Sequence, residues 1–282
     1  MILSVCLMTS LSERFLDLPH TRLDDYVSKE KKSIRVRARV LFLAFEELIS
    51  EDYSFFECLD ALSEIAKTAA IQTYDVPPHP GSINNCRGQW FELIFYKFFW
   101  EEIKKHRGKG IDFLRMPSAT KNMKITDLFL PEQNEKVRKL RPATSNPDYL
   151  VLTNLEDLLT DLKNRTWYEN FQDVDFFGRV DLKKITAFLS IKTTSRPDRK
   201  YQLLHEANMV KTICSASYNH NIKFVVVELE SKKANQEAFQ SSSIMSMVEN
   251  KHLGTGLCKT IDSSITINMI SDVSKVYSVL FC

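Results

Sequence analysis

Between Ile185 and Lys192 the chain reads Ile-Thr-Ala-Phe-Leu-Ser-Ile-Lys, a short apolar run rich in β-branched residues that stops on a lysine. Such a run predicts a buried strand, and a buried strand that ends on a lysine has a use for the charge. Ser195 and Pro197 follow as helix-start residues. Leu203, Leu204, Ala207, Met209 and Val210 then recur at near-helical spacing, which predicts a helix from about Pro197. Tyr149-Leu-Val-Leu152 is a second apolar strand, with Pro147-Asp148 at its mouth. Ile222 to Leu229 has the continuous apolar pattern of a buried sheet position, and Ser264 to Ile270 is one more candidate strand. Helical periodicity covers Val36–Ile49, Phe55–Ala70 and Trp90–Lys105, with a polar helical insertion around Leu155–Leu162 and a loop between Lys105 and Asp148. The pattern predicts an α/β protein, a central mixed β-sheet flanked by helices. Pro77-Pro-His-Pro-Gly81 punctuates it, setting an N-terminal helical part, residues 1–80, against a main domain of residues 81–282.

The strand ends carry the candidate chemistry. Asp148 sits at the mouth of one strand, Lys192 ends another, and Glu206 lies two turns into the following helix. Two carboxylates holding Mg²⁺ beside a lysine suit phosphodiester hydrolysis: the metal polarises the phosphate and acidifies water, while the lysine orients that water and offsets developing charge. Arg196, Asp198 and Arg199 crowd the start of the helix. Arginine can give two hydrogen bonds to guanine and aspartate can accept from cytosine N4, so the trio suits G·C pairs in a major groove. Taken alone, Arg196-Pro-Asp-Arg199 also fits an exposed turn with a local ion pair.

Composition narrows the picture without pointing to it. A formal net charge of +2 over 282 residues gives no basic footprint for nucleic acid, so any such charge is local, as at Lys29–Arg39, Lys104–Lys109, Lys136–Arg141 and Lys192–Lys200. The six cysteines form no CxxC pair and the six histidines no HExxH pattern, which argues against zinc and for small apolar cysteines in a reducing cell. The first residues lack the charged start and cleavage signature of a secretory peptide, and no apolar run reaches transmembrane length, so a cytoplasmic protein is expected. The aromatic density from Trp90 to Trp100 reads as packed core or subunit contact rather than base stacking. No repeat, glycine-rich phosphate loop or nucleophile elbow supports an NTPase or a serine hydrolase.

Ser145-Asn-Pro-Asp148, Phe188-Leu-Ser-Ile-Lys-Thr-Thr194, Arg196-Pro-Asp-Arg199 and Gln202-Leu-Leu-His-Glu206, with Lys192 preceding Glu206 by 14 positions, resemble the CCGG-recognising type II restriction endonucleases of the PD-(D/E)xK nuclease fold. The likeness is greatest to the purine-CCGG-pyrimidine cutters. It implies that Asp148 and Glu206 ligate Mg²⁺, that Lys192 assists the water, and that Ser190 stands where the general nuclease pattern has a second acid, the missing carboxylate coming from Glu206. A further family acid matches Glu92. Arg196, Asp198 and Arg199 are implied to read the CCGG core, cutting before its first cytosine to leave four-base 5′ overhangs. Asn85 and Arg87 are candidates for minor-groove contacts. The resemblance also implies double-stranded DNA as substrate, a homodimer or a tetramer, a cognate DNA methyltransferase as functional partner, and a bacterial or archaeal cytoplasm. A catalytically silent DNA-binding protein of the same fold, or a structure-directed repair nuclease, are the alternatives.

Overall fold

The computed structural model describes residues 10–19, 22–30, 33–106, 111–116, 125–138, 147–153, 166–172, 178–193, 197–218, 222–229 and 259–281. It comprises two compact units: Met1–Phe95 with Asn268–Ser271, and Tyr96–Ile267 with Asp272–Cys282.

The first unit contains α1 (Leu11–Leu16), an antiparallel hairpin of β1 (Val27–Glu30) and β2 (Ser33–Val36), α2 (Ala38–Phe45), α3 (Phe55–Tyr74) and the start of α4 (Pro80–Lys105). Two reciprocal caps start its helices. Ser54 Oγ accepts from the Glu57 N–H at 3.1 Å while the Glu57 carboxylate takes the Ser54 N–H at 2.7 Å, and Ser10 and Glu13 repeat the arrangement on α1. α2 begins later than its periodicity predicts, because Val36 pairs with Val27 in the hairpin and the Arg37 N–H bonds the Tyr26 carbonyl. α4 begins ten residues earlier than Trp90. Its first turns look polar, yet Ile83, Cys86 and Trp90 are buried at helical spacing behind a proline in the first position. The Trp90 indole donates to the Ala38 carbonyl at 2.9 Å, tying α4 to α2. The five residues between Tyr74 and Pro80 separate α3 from α4, and the two units divide further on, within α4.

The second unit is built on a five-stranded mixed sheet in sequence order: β3 (Ile111–Arg115), β4 (Tyr149–Thr153), β5 (Ile185–Lys192), β6 (Lys223–Glu228) and β7 (Ser263–Thr266). The first two pairings are antiparallel and the last two parallel. Around it lie α5 (Pro131–Arg138), α6 (Trp167–Gln172), α7 (Pro197–Tyr218) and α8 (Val273–Phe281). β5 matches its expected bounds and α7 starts at the expected proline. The segment read as a loop between Lys105 and Asp148 instead holds β3 and α5, and the last strand is shorter than Ser264–Ile270. Asp112 breaks the apolar run of β3, and the polar composition of α5 hides its helix. The helical insertion expected around Leu155–Leu162 lies outside the described residues.

Alternation along the strands gives each sheet face its own cover. Leu150, Phe188, Phe224 and Val226 pack with Leu203, Ala207, Val210 and Ile213 of α7. On the other face Tyr149 and Phe113 stack at 4.7 Å, and Tyr96 of α4 meets both, with Phe171 of α6 edge-on to it. The aromatic run of α4 is therefore core, as its density predicts. α7 is the crossover that joins the parallel pair β5 and β6, the connection that a parallel pairing demands. No described helix is long and apolar enough to cross a membrane.

Two outcomes follow from this packing. Phe113→Ala, which empties the centre of the aromatic face, is expected to lower unfolding free energy by about 3–5 kcal/mol in denaturant titration. Burial pushes the Cys58 thiol up to about 12, with the Glu57 charge adding to it, and pushes the Cys86 thiol up to about 11. Both should therefore resist iodoacetamide at pH 8 in the native protein and react after denaturation, as read by peptide mass mapping.

Candidate active site

The site forms where the apolar sheet stops. β4 and β5 run antiparallel with Tyr149 opposite Leu189 and Leu150 opposite Phe188, and the next pair in that register sets Asp148 opposite Ser190. Phe188, Ser190 and Lys192 alternate onto one face of β5, the face that α7 covers. Asp148 is thus delivered by the entrance of β4, and Ser190 and Lys192 by the exit of β5. The Met116 N–H bonds the Asp148 carbonyl at 2.9 Å, which fixes the Asp148 backbone from the β3 side.

Asp148 Oδ2 is met twice. The Lys192 ammonium donates to it at 2.7 Å and the Ile191 N–H at 2.7 Å. The lysine side chain is 10% exposed and the aspartate 29%, so the pair sits at the lip of the core rather than in bulk solvent. Oδ1 takes part in neither bond.

Glu206 is more deeply placed, with 1% of its surface exposed. It occupies the inner face of α7 among Leu203, Ala207 and Val210, where periodicity alone would put an apolar residue. Its carboxylate is met on both oxygens: Ser190 Oγ donates to Oε2 at 3.1 Å, and Gln202, one helical turn earlier, donates from Nε2 to Oε1 at 2.8 Å. The structure thus brings Asp148, Ser190, Lys192 and Glu206 to one end of the sheet. Gln202 is the member that sequence reasoning passed over, although its spacing of four from Glu206 is that of a helical side-chain pair.

The other expected residues are placed differently. Glu92 is half-buried on α4 and belongs to the first unit, as do Asn85, which is exposed, and Arg87. Arg87 is engaged with Asp60 Oδ1 and with Ser63 Oγ at 3.2 Å, both on α3. Arg196 lies outside the described residues, and Asp198 and Arg199 are described only as backbone of the first turn of α7.

Among the described residues, no group of three or more His, Cys, Asp or Glu side chains is placed to hold a metal ion by itself. Asp148 and Glu206 offer oxygen ligands only, a pair that suits a hard divalent cation held through one or two carboxylates, retained waters and substrate phosphates rather than in an all-protein cage.

A family model described as Cfr10I/Bse634I restriction endonuclease matches residues 22–281. The type II restriction enzyme Cfr10I of Citrobacter freundii is 26% identical over 217 residues, which cover 67% of this chain and 74% of that protein. The crystal structure of the type IIF restriction endonuclease Bse634I with cognate DNA superposes with a TM-score of 0.79 at 22% identity, covering 93% of this chain and all of that one. A second Bse634I structure gives 0.80, also at 22% identity, over 92% and 99%. The mixed sheet flanked by helices is therefore the architecture of these enzymes.

The Asp148–Lys192 pair should couple measurably. In a double-mutant cycle of Asp148→Ala and Lys192→Met read by chemical denaturation, the interaction term is expected at about 1–3 kcal/mol. Strict additivity would show that the pair is not made in solution.

Proposed function

This chain belongs to the Cfr10I/Bse634I restriction endonuclease family, and we propose that it uses Mg²⁺ to cut double-stranded DNA at a palindromic site with a CCGG core. Cleavage falls before the first cytosine and leaves four-base 5′ overhangs. As in its relatives, the chemistry is type II, site-specific DNA hydrolysis. The observation that carries the reading is the gathering of Asp148, Lys192, Ser190 and Glu206 at one end of the sheet, with Lys192 2.7 Å from Asp148 and Ser190 3.1 Å from Glu206.

Asp148 and Glu206 would hold the metal. Bound there, Mg²⁺ would supply Lewis-acid polarisation of the scissile phosphate and a more acidic water. Lys192 donates to Asp148 in the DNA-free chain; beside a phosphate its ammonium holds the attacking water by a hydrogen bond and offsets the charge that develops on the phosphoryl oxygens. Ser190 adds no charge: it keeps the Glu206 carboxylate turned toward the strand end where an acid would otherwise stand. Glu92 is assigned to binding or orienting at the metal site.

Base reading falls to Arg196, Asp198 and Arg199. Pro197 opens α7, so Asp198 and Arg199 occupy its first turn, and N-terminal residues of a helix laid in a major groove are those that reach base edges. Asn85 and Arg87 are assigned to the minor groove. A palindromic target calls for a two-fold protein, so a homodimer, or a tetramer built from it, acts on DNA. A cognate methyltransferase would protect host sites, and the place of action is the cytoplasm of a bacterium or archaeon.

Digestion of DNA of known sequence with Mg²⁺, with EDTA as control, followed by end-sequencing, is the direct test. Discrete staggered cuts at CCGG-containing sites are expected; tight binding to such sites without cutting would leave a silent DNA-binding protein instead. Asp148→Ala and Lys192→Ala should each lower the cleavage rate by about 10²–10⁴-fold while retaining most specific binding. Arg199→Ala should instead weaken binding to the specific duplex by about 1–3 kcal/mol and relax discrimination at one base pair. An Asp148→Ala enzyme that cuts normally would remove the metal-site assignment.

A further inference from the structure

We propose that Gln202 is a positioning residue for the metal, acting through Glu206. The inference rests on the reading of Glu206 as a metal ligand. Glu206 is almost wholly buried on an apolar helix face, and a carboxylate there needs donors to keep one orientation. Ser190 supplies one from the strand, on Oε2. Gln202 supplies the other from within α7, on Oε1 at 2.8 Å. Gln202 is exposed as a residue, so its amide meets the buried carboxylate from the solvent side.

The donors differ between the two acids. Asp148 takes a cationic one, Lys192, whereas the bonds that Ser190 and Gln202 give Glu206 come from a hydroxyl and an amide, which orient the carboxylate without adding charge. Hydrogen bonds of this kind to ligating carboxylates typically change metal affinity 10–100-fold when removed.

The test uses the full-length protein with Gln202→Leu, which keeps shape and helix propensity but cannot donate, and Gln202→Met as a second, linear replacement at this exposed position. Mn²⁺ binding to the DNA-free protein, followed by the EPR signal of free Mn²⁺, is compared with the Mg²⁺ concentration for half-maximal cleavage. Both constants are expected to rise about 10–100-fold. The circular-dichroism spectrum and the affinity for a CCGG duplex in EDTA should stay unchanged, which a loss of structure would not allow. Glu206→Ala serves as reference. If it weakens Mn²⁺ binding and neither Gln202 variant does, the role given to Gln202 is wrong. If Glu206→Ala itself leaves Mn²⁺ binding intact, the ligand reading of Glu206 falls, and this inference with it.

Discussion

A buried carboxylate on an apolar helix face is the constraint around which the working end of this molecule is arranged. Glu206 sits at 1% exposure among residues whose only other business is packing. Burying an unpartnered charge costs several kcal/mol, so its oxygens need donors at defined positions. Ser190 must face α7, which fixes the alternation of β5; Gln202 must lie one turn before Glu206, which is a property of the helix. Because α7 is also the crossover between β5 and β6, holding its inner face against Ser190 sets the helix over the parallel half of the sheet.

Asp148 resolves the same problem at the antiparallel half. One oxygen takes both the Lys192 ammonium and the Ile191 N–H, so a side chain from the mouth of β4 caps the end of β5. Among the described side chains gathered here, Asp148 and Glu206 set two acids against Lys192, and the proposed divalent cation would turn that balance toward a phosphate.

Much of this was legible in the sequence for a definite reason. β5, the start of α7 and the mouth of β4 are marked by abrupt changes of pattern: an apolar run halted by Lys192, a Pro at the first helical position, and a Pro-Asp pair before Tyr149. Two of those junctions carry Asp148 and Lys192, and Glu206 follows two turns beyond the third, so local pattern and candidate chemistry lie close together. Where pattern and structure part, a polar residue has been tolerated inside a core element. Asp112 is fully buried in β3, where its carboxylate accepts the adjacent Phe113 N–H at 2.7 Å. That contact is invisible in a sequence, and the strand therefore read as loop. The early turns of α4 show their buried face only through Ile83 and Cys86, two residues in ten, so the helix announced itself at Trp90. Gln202 was missed for another reason: an exposed glutamine on a helix is ordinary until the acid one turn later is known to be buried.

The arrangement on α7 has a consequence for how reading and cutting are kept in step. Asp198 and Arg199, the proposed base readers, and Glu206, the proposed ligand, stand on one continuous helix, separated by about 10–12 Å of rise at 1.5 Å per residue. No loop intervenes between them. A helix of this length is stiff, so on that proposal the distance from a recognised base to the metal would be set by covalent geometry rather than by the packing of a separate recognition module. The inner face of the same helix, Leu203, Ala207, Val210 and Ile213, is embedded in the core of the sheet. Any shift of that face would therefore move the reading turn and the carboxylate together, while Asp148 and Lys192, on strands, would stay behind. With the proposed roles, fidelity would depend on the rigidity with which α7 is seated, and the dense apolar contact beneath it would be as much a part of the specificity as the proposed base readers.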